Sequence, residues 1–192
     1  MKKTKRKAGK LVLLAACLLL LGIGMSVRAE EERSTSGKCG DNITWEIEKL
    51  ATAGREDDTL KLTGSGAMYD YLKKEENDFS YWYEAHPPWE GYSFIGVSLD
   101  DRITSIGDGA FAYFTLYDVK QDEINFSQNG TMVLPKNVTS IGRQAFANAS
   151  IRALYIGPEV RKIGQDAFLS SYIEDLFVAG TSLDFSAVDG VF

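Results

Sequence analysis

The sequence predicts an α/β solenoid, in which units of about 22 residues stack through a short parallel sheet behind a small β-hairpin cap. The first observation behind this is a sixteen-residue phrase at 97–112, 132–147 and 154–169, each copy ending in Ile-Gly-x-x-Ala-Phe and one further residue. The second is the period. Phe146 and Phe168 stand 22 residues apart and Phe111 and Phe146 stand 35 apart, so the first interval holds 13 additional residues. Self-similarity at such a period marks architectures whose units bury their apolar faces against one another. The third is the apolar spacing within a copy, with Ile151, Leu154 and Ile156 followed by Val160, Ile163 and Phe168.

Residues 1–29 open the chain. Lys2, Lys3, Lys5, Arg6, Lys7 and Lys10 precede an apolar run over 11–25, and Val27-Arg28-Ala29 precedes three glutamates. A basic head, an apolar core and a small-residue exit predict a secretory signal peptide cleaved after Ala29. The run falls short of the roughly 20 apolar residues of a spanning helix, so no membrane insertion of the mature chain is expected. Leu14-Ala15-Ala16-Cys17 also matches a lipoprotein signal, but the apolar run continues past Cys17, which favours simple cleavage over anchoring there. Seven of the 21 Lys and Arg, and none of the 27 Asp and Glu, lie in this segment, so the rest carries 14 basic groups and a net charge of −13. Such a surface is repelled by nucleic acid, which is excluded as a partner. Cys39 alone survives cleavage, which rules out an intrachain disulfide and reads as a small buried apolar residue.

Residues 30–92 read as a polar lead, a β cap and an aromatic loop. The alternations at 43–48 and 59–63 predict two strands joined by the turn-rich 51–58. This hairpin is placed over the open apolar end of the array. In the loop, Tyr81, Trp82, Trp89 and Tyr92 accompany His86 and two prolines. They form a second candidate surface, for a sugar or peptide, unless the tryptophans plug the junction between cap and repeats; the need of caps for bulky plugs favours burial.

Residues 93–192 hold three repeats and a partial fourth, with the insertion inside 113–130. In the third copy Leu154 and Ile156 point in and Tyr155 points out, the pattern of a half-buried strand, and Pro158 ends it. Gly164 lets the backbone turn, and 165–169 return as a short helical or irregular segment. Burying five apolar side chains per unit is worth at most about 10 kcal/mol before chain entropy, so each unit requires its neighbours. The order of strand, Pro or acidic turn, and Val-x-x-Ile-Gly-x-x-Ala-Phe resembles the BspA-like class of leucine-rich repeats found in bacterial surface proteins. The resemblance covers about residues 95–178, and Cys39-Gly-Asp-Asn-Ile-Thr-Trp45 is similar to the opening that often precedes this class. It implies a secreted or surface-exposed protein that binds host or neighbouring-cell proteins. The inward Asn of the general leucine-rich consensus is kept in one copy of four: Arg102, Asn137, Glu159 and Thr181 occupy that position.

Nothing in the chain assembles an enzyme. His86 is the only histidine, no Gly-x-Ser-x-Gly elbow occurs, and one His with one Cys makes no zinc site. Asp118, Asp122 and Glu123 lack the alternation and central Gly of a calcium loop. No catalytic residue, metal or cofactor is therefore assigned. The outward strand positions in successive copies are Ser98, Val133, Tyr155 and Phe177, flanked at the last by Asp175. An exposed apolar row with an acidic rim is the expected site for an extracellular protein ligand. A glycan bound at, or processed by carboxylates near, the 81–92 loop is the alternative.

Overall fold

The computed structural model describes residues 34–52, 55–72, 85–117 and 130–180, all within one compact unit. The signal peptide, the Cys17 motif, Tyr81, Trp82 and the C-terminal twelve residues lie outside them.

Strand β1 (Ser36–Thr52) and strand β2 (Arg55–Met68) form an antiparallel hairpin, longer than the two alternations marked. Ile43, Trp45, Leu60 and Leu62 are buried, with Trp45 opposite Leu62, so the period-2 pattern turns one face of the hairpin onto the repeats. β2 then enters two parallel arrangements. Its residues 59–62 pair with β4 (Gly96–Leu99), which follows β3 (Ser93–Phe94), and its Gly66 and Ala67 pair with β5 (Ile103–Ile106).

The repeats contribute parallel strands to two sheets rather than one. β6 (Thr115–Leu116), β7 (Thr131–Val133), β9 (Ser150–Ile156) and β11 (Tyr172–Val178) form one sheet with β3. The second continues from β5 through β8 (Ser140–Ile141) to β10 (Lys162–Ile163). Leu116 pairs with Ile151 and Thr131 with Ala153. The insertion therefore stands where the third repeat has Arg152 alone: the chain leaves the sheet after Tyr117 and returns at Gly130.

The helical half of the α/β expectation is corrected. Among the described residues there is no helix, and the returns are turns. Gly109, Gln144 and Asp166 hold positive φ, and four residues later so do Tyr113, Asn148 and Ser170. That alternation breaks an α-helix and aims amide groups at the next repeat instead. Gly109, Phe111 and Tyr113 donate to the carbonyls of Arg143, Ala145 and Ala147, and Gln144, Phe146 and Asn148 donate to those of Gln165, Ala167 and Leu169. Alternate backbone amides that a helix would satisfy internally are satisfied across repeats, and those between them, such as Ala110, Ala112 and Ala147, bond three residues back within the turn.

The core follows from the same stacking. Phe111, Phe146 and Phe168 lie nearly parallel with centroids 5.4 Å apart, and Trp89 stacks on Phe111 at 5.6 Å. The repeat glycines are required by contact, not by the turning role expected of Gly164. A Cβ on Gly142 would lie 2.5 Å from the amide nitrogen of Asp108 and 2.6 Å from the carbonyl carbon of Gly107. On Gly107 it would strike the Tyr69 carbonyl, and on Gly164 the Arg143 amide.

Upstream of the first full phrase lies a unit without the motif. Tyr71 donates to Asp108 O as Gly109 donates to Arg143 O. The Asp70 carboxylate accepts the Asp108 amide at 2.9 Å, as the Asp108 carboxylate accepts that of Arg143 at 2.7 Å. Trp89 supplies the ring that Phe supplies elsewhere.

Candidate functional site

The candidate surface is built on β9. Leu154 and Ile156 are buried, which forces Tyr155 between them outward, where it is 41% exposed. β7 brings Val133 beside it in register, 60% exposed, and β11 brings Phe177, 44% exposed. Repetition of one unit makes this alignment automatic, because equivalent residues become cross-strand neighbours. The rings of Tyr155 and Phe177 stack 4.4 Å apart at 9°. Asp175 is exposed on β11 and lies 3.9 Å from Arg152.

Ser98 stands apart from these three in its surroundings. It is exposed but pairs with Lys61 of the hairpin, which in turn pairs with Glu46. Lys61 Nζ reaches Glu48 at 2.7 Å and Glu46 at 3.3 Å. β4 lies against β7, so the polar Glu46–Lys61–Ser98 row adjoins the apolar Val133–Tyr155–Phe177 row. Sequence reasoning passed over Tyr172, 68% exposed at the start of β11. The signal was available, since Tyr172 follows Ser150 by one period and the two are paired.

The second candidate surface is corrected at Trp89. This residue is 1% exposed, donates its Nε1–H to Ala110 O at 3.0 Å, and meets Trp45 and Tyr71 edge-on at 5.9 Å. It belongs to the core because the ring column needs an end piece whose one polar atom finds a partner. Tyr92 is half-buried against Phe94, and Tyr81 and Trp82 fall outside the described residues, so no platform of the four is assembled among them.

The groups that could do chemistry are placed otherwise. Cys39 is buried, and desolvation pushes its thiol up to about 12, away from the thiolate a nucleophile needs. His86 Nδ1 lies 2.8 Å from Glu90 on the surface. The Arg102 guanidinium holds the Asp100 carboxyl well below the usual range, with the backbone amides of Arg102 and Gly64 also bonded to it. Among the described residues no three His, Cys, Asp or Glu gather as a metal site, and no helix is long and apolar enough to cross a membrane.

This architecture, parallel strands contributed one repeat at a time, is that of a leucine-rich repeat protein. Residues 89–182 match the BspA type leucine rich repeat region in six copies, and this segment is a repeat array of that type. A solved leucine-rich repeat protein from Eubacterium ventriosum is similar to the chain at 23% identity and a TM-score of 0.48. The match covers 72% of this chain and 30% of that one, so the chain spans less than a third of its solved neighbour. No curated protein matches it.

Proposed function

We propose that the chain is an exported, non-catalytic binding module whose repeats form a solenoid and hold an extracellular protein ligand on the Val133–Tyr155–Phe177 row. The observation that carries this reading is the row itself: three apolar side chains, in register and exposed, of which Val133 and Tyr155 stand between buried strand neighbours. Soluble surfaces rarely keep such contiguous rows, and aromatic side chains dominate binding energy where they do occur. The basic, apolar N-terminal segment and the net negative charge beyond it support an exported protein, and the BspA-type repeats support a role at the bacterial surface in adhesion. The buried thiol, the single surface histidine and the typically non-enzymatic repeat class support a role without catalysis.

The test compares the full chain with its Tyr155→Ser, Phe177→Ser double variant in pull-downs from matrix and cell-surface extracts, after circular dichroism has shown equal folding. Both side chains are partly exposed, so the variant keeps its fold. A partner held by the parent and lost at least about thirtyfold by the variant supports the reading, since hot-spot residues are worth about 2 kcal/mol or more. Equal capture by both removes the site assignment, and turnover of a glycan by the purified chain removes the non-catalytic one.

A further inference from the structure

The second sheet carries a groove unlike the first. Its floor is built from small residues: Ser105 and Ser140 are cross-strand neighbours, Lys162 continues the row, and the glycines at 107, 142 and 164 lie alongside. These residues line a volume of about 390 Å³. Its rim holds charges in order along the repeats, Asp70 and Asp108 first, then Arg143 and Lys162. Asp70 and Asp108 each accept a backbone amide through Oδ1, and among the described residues neither they nor Lys162 has an ion-pair partner. Surface charges elsewhere do pair, at Lys61–Glu48, Arg102–Asp100 and Lys136–Asp101.

We propose that this groove binds a zwitterionic peptide, its cation between Asp70 and Asp108 and its carboxylate at Arg143 and Lys162. Lys162 sits two strands along from Ser105, about 10 Å at the spacing of neighbouring strands, and Asp108 stands three residues beyond Ser105 in the same repeat. An extended tripeptide spans about the same length between its termini, at roughly 3.3–3.6 Å per residue. The serine hydroxyls on the floor offer hydrogen bonds to the peptide units between the two charges. The groove lies on the other sheet from Tyr155 and Phe177, so this site stands or falls independently of the aromatic row.

The test follows amide NMR shifts of the full chain during titration with trialanine. Saturable shifts at Ser105, Gly107, Ser140 and Gly142, with a dissociation constant on the order of millimolar, are expected. N-acetyl-trialanine and trialanine amide, which each lack one charge, bind about tenfold more weakly, as do Asp108→Asn and Lys162→Gln. Asp108→Asn keeps an oxygen for the Arg143 amide, so it preserves the turn. A capped peptide with Lys and Glu two residues apart separates side-chain charges from chain termini, and binding of either form supports the groove. No shifts with any of these peptides, or equal shifts with the doubly blocked peptide, overturn the proposal.

Discussion

Gly142→Ala tests whether the repeats are set by backbone contact. Gly142 has no positive φ, so Ala meets no torsional penalty there, and the whole cost is steric. The new methyl would stand 2.5 Å from the Asp108 nitrogen, 2.6 Å from its Oδ1 and 2.6 Å from Gly107 C, close to 1 Å inside ordinary contact. These are backbone and capped groups, not the end of a flexible side chain, so the second repeat has to move off the first. Overpacking of this kind costs about 1–3 kcal/mol. The movement also lengthens the Gly142 N–H bond to Ile106 O, now 2.9 Å, and the Arg143 N–H bond to Asp108, now 2.7 Å. At about 1 kcal/mol each, these bring the expected loss to about 3–5 kcal/mol. The assay is urea unfolding followed by circular dichroism, with Gly66→Ala as the control. Gly66 has φ +95° and no atom within 4 Å of the place a Cβ would take, so only its torsion is penalised, at about 1–2 kcal/mol. A Gly142→Ala loss no larger than that of Gly66→Ala refutes the close-contact argument.

Three further outcomes are expected. Trp89→Phe keeps the ring stack but removes the bond to Ala110 O, leaving a buried carbonyl short of a partner; denaturant titration is expected to show a loss of about 1–3 kcal/mol. Cys39 in the native chain is expected to resist an aromatic disulfide reagent at pH 8 and to react at the unfolding rate, since burial raises its folded pKa above the unfolded value; stability due to this group is complete below the unfolded thiol pKa and declines as pH rises toward 12. Prompt stoichiometric labelling without unfolding contradicts the buried placement. For Asp100 the folded pKa is depressed, so its contribution is present above the unfolded carboxyl pKa of about 4 and is lost as pH falls through the lower folded value. The stabilities of the parent and Asp100→Asn are expected to draw together as pH falls below about 4 toward the lower folded value, and a gap that is constant with pH rules out the Arg102 pairing as its cause.

Local sequence was a sufficient guide wherever one residue's environment repeats that of its equivalent 22 residues away. Val133, Tyr155 and Phe177 could be aligned on paper because their neighbours on both sides follow the same alternation, and the pairing of β7, β9 and β11 follows that alignment. The 13 extra residues between Phe111 and Phe146 could likewise be counted before their place was known. What the motif does not cover was harder. Tyr69, Asp70, Tyr71 and Trp89 carry no Ile-Gly-x-x-Ala-Phe, yet they reproduce its hydrogen bonds and its ring, so the place of Trp89 was open until its neighbours Phe111 and Trp45 were in position.

The sequence by itself determined the period, the side of each strand that faces inward and the residues that fall side by side, because these depend on short-range alternation copied at a fixed interval. The tertiary structure decided three other matters. It placed the insertion at the position of Arg152, turned the returns into a ladder between repeats instead of helices, and gave the glycines their role as contact points. Each of these depends on how closely one repeat's backbone approaches the next, and residues 22 or more positions apart in the chain set that distance.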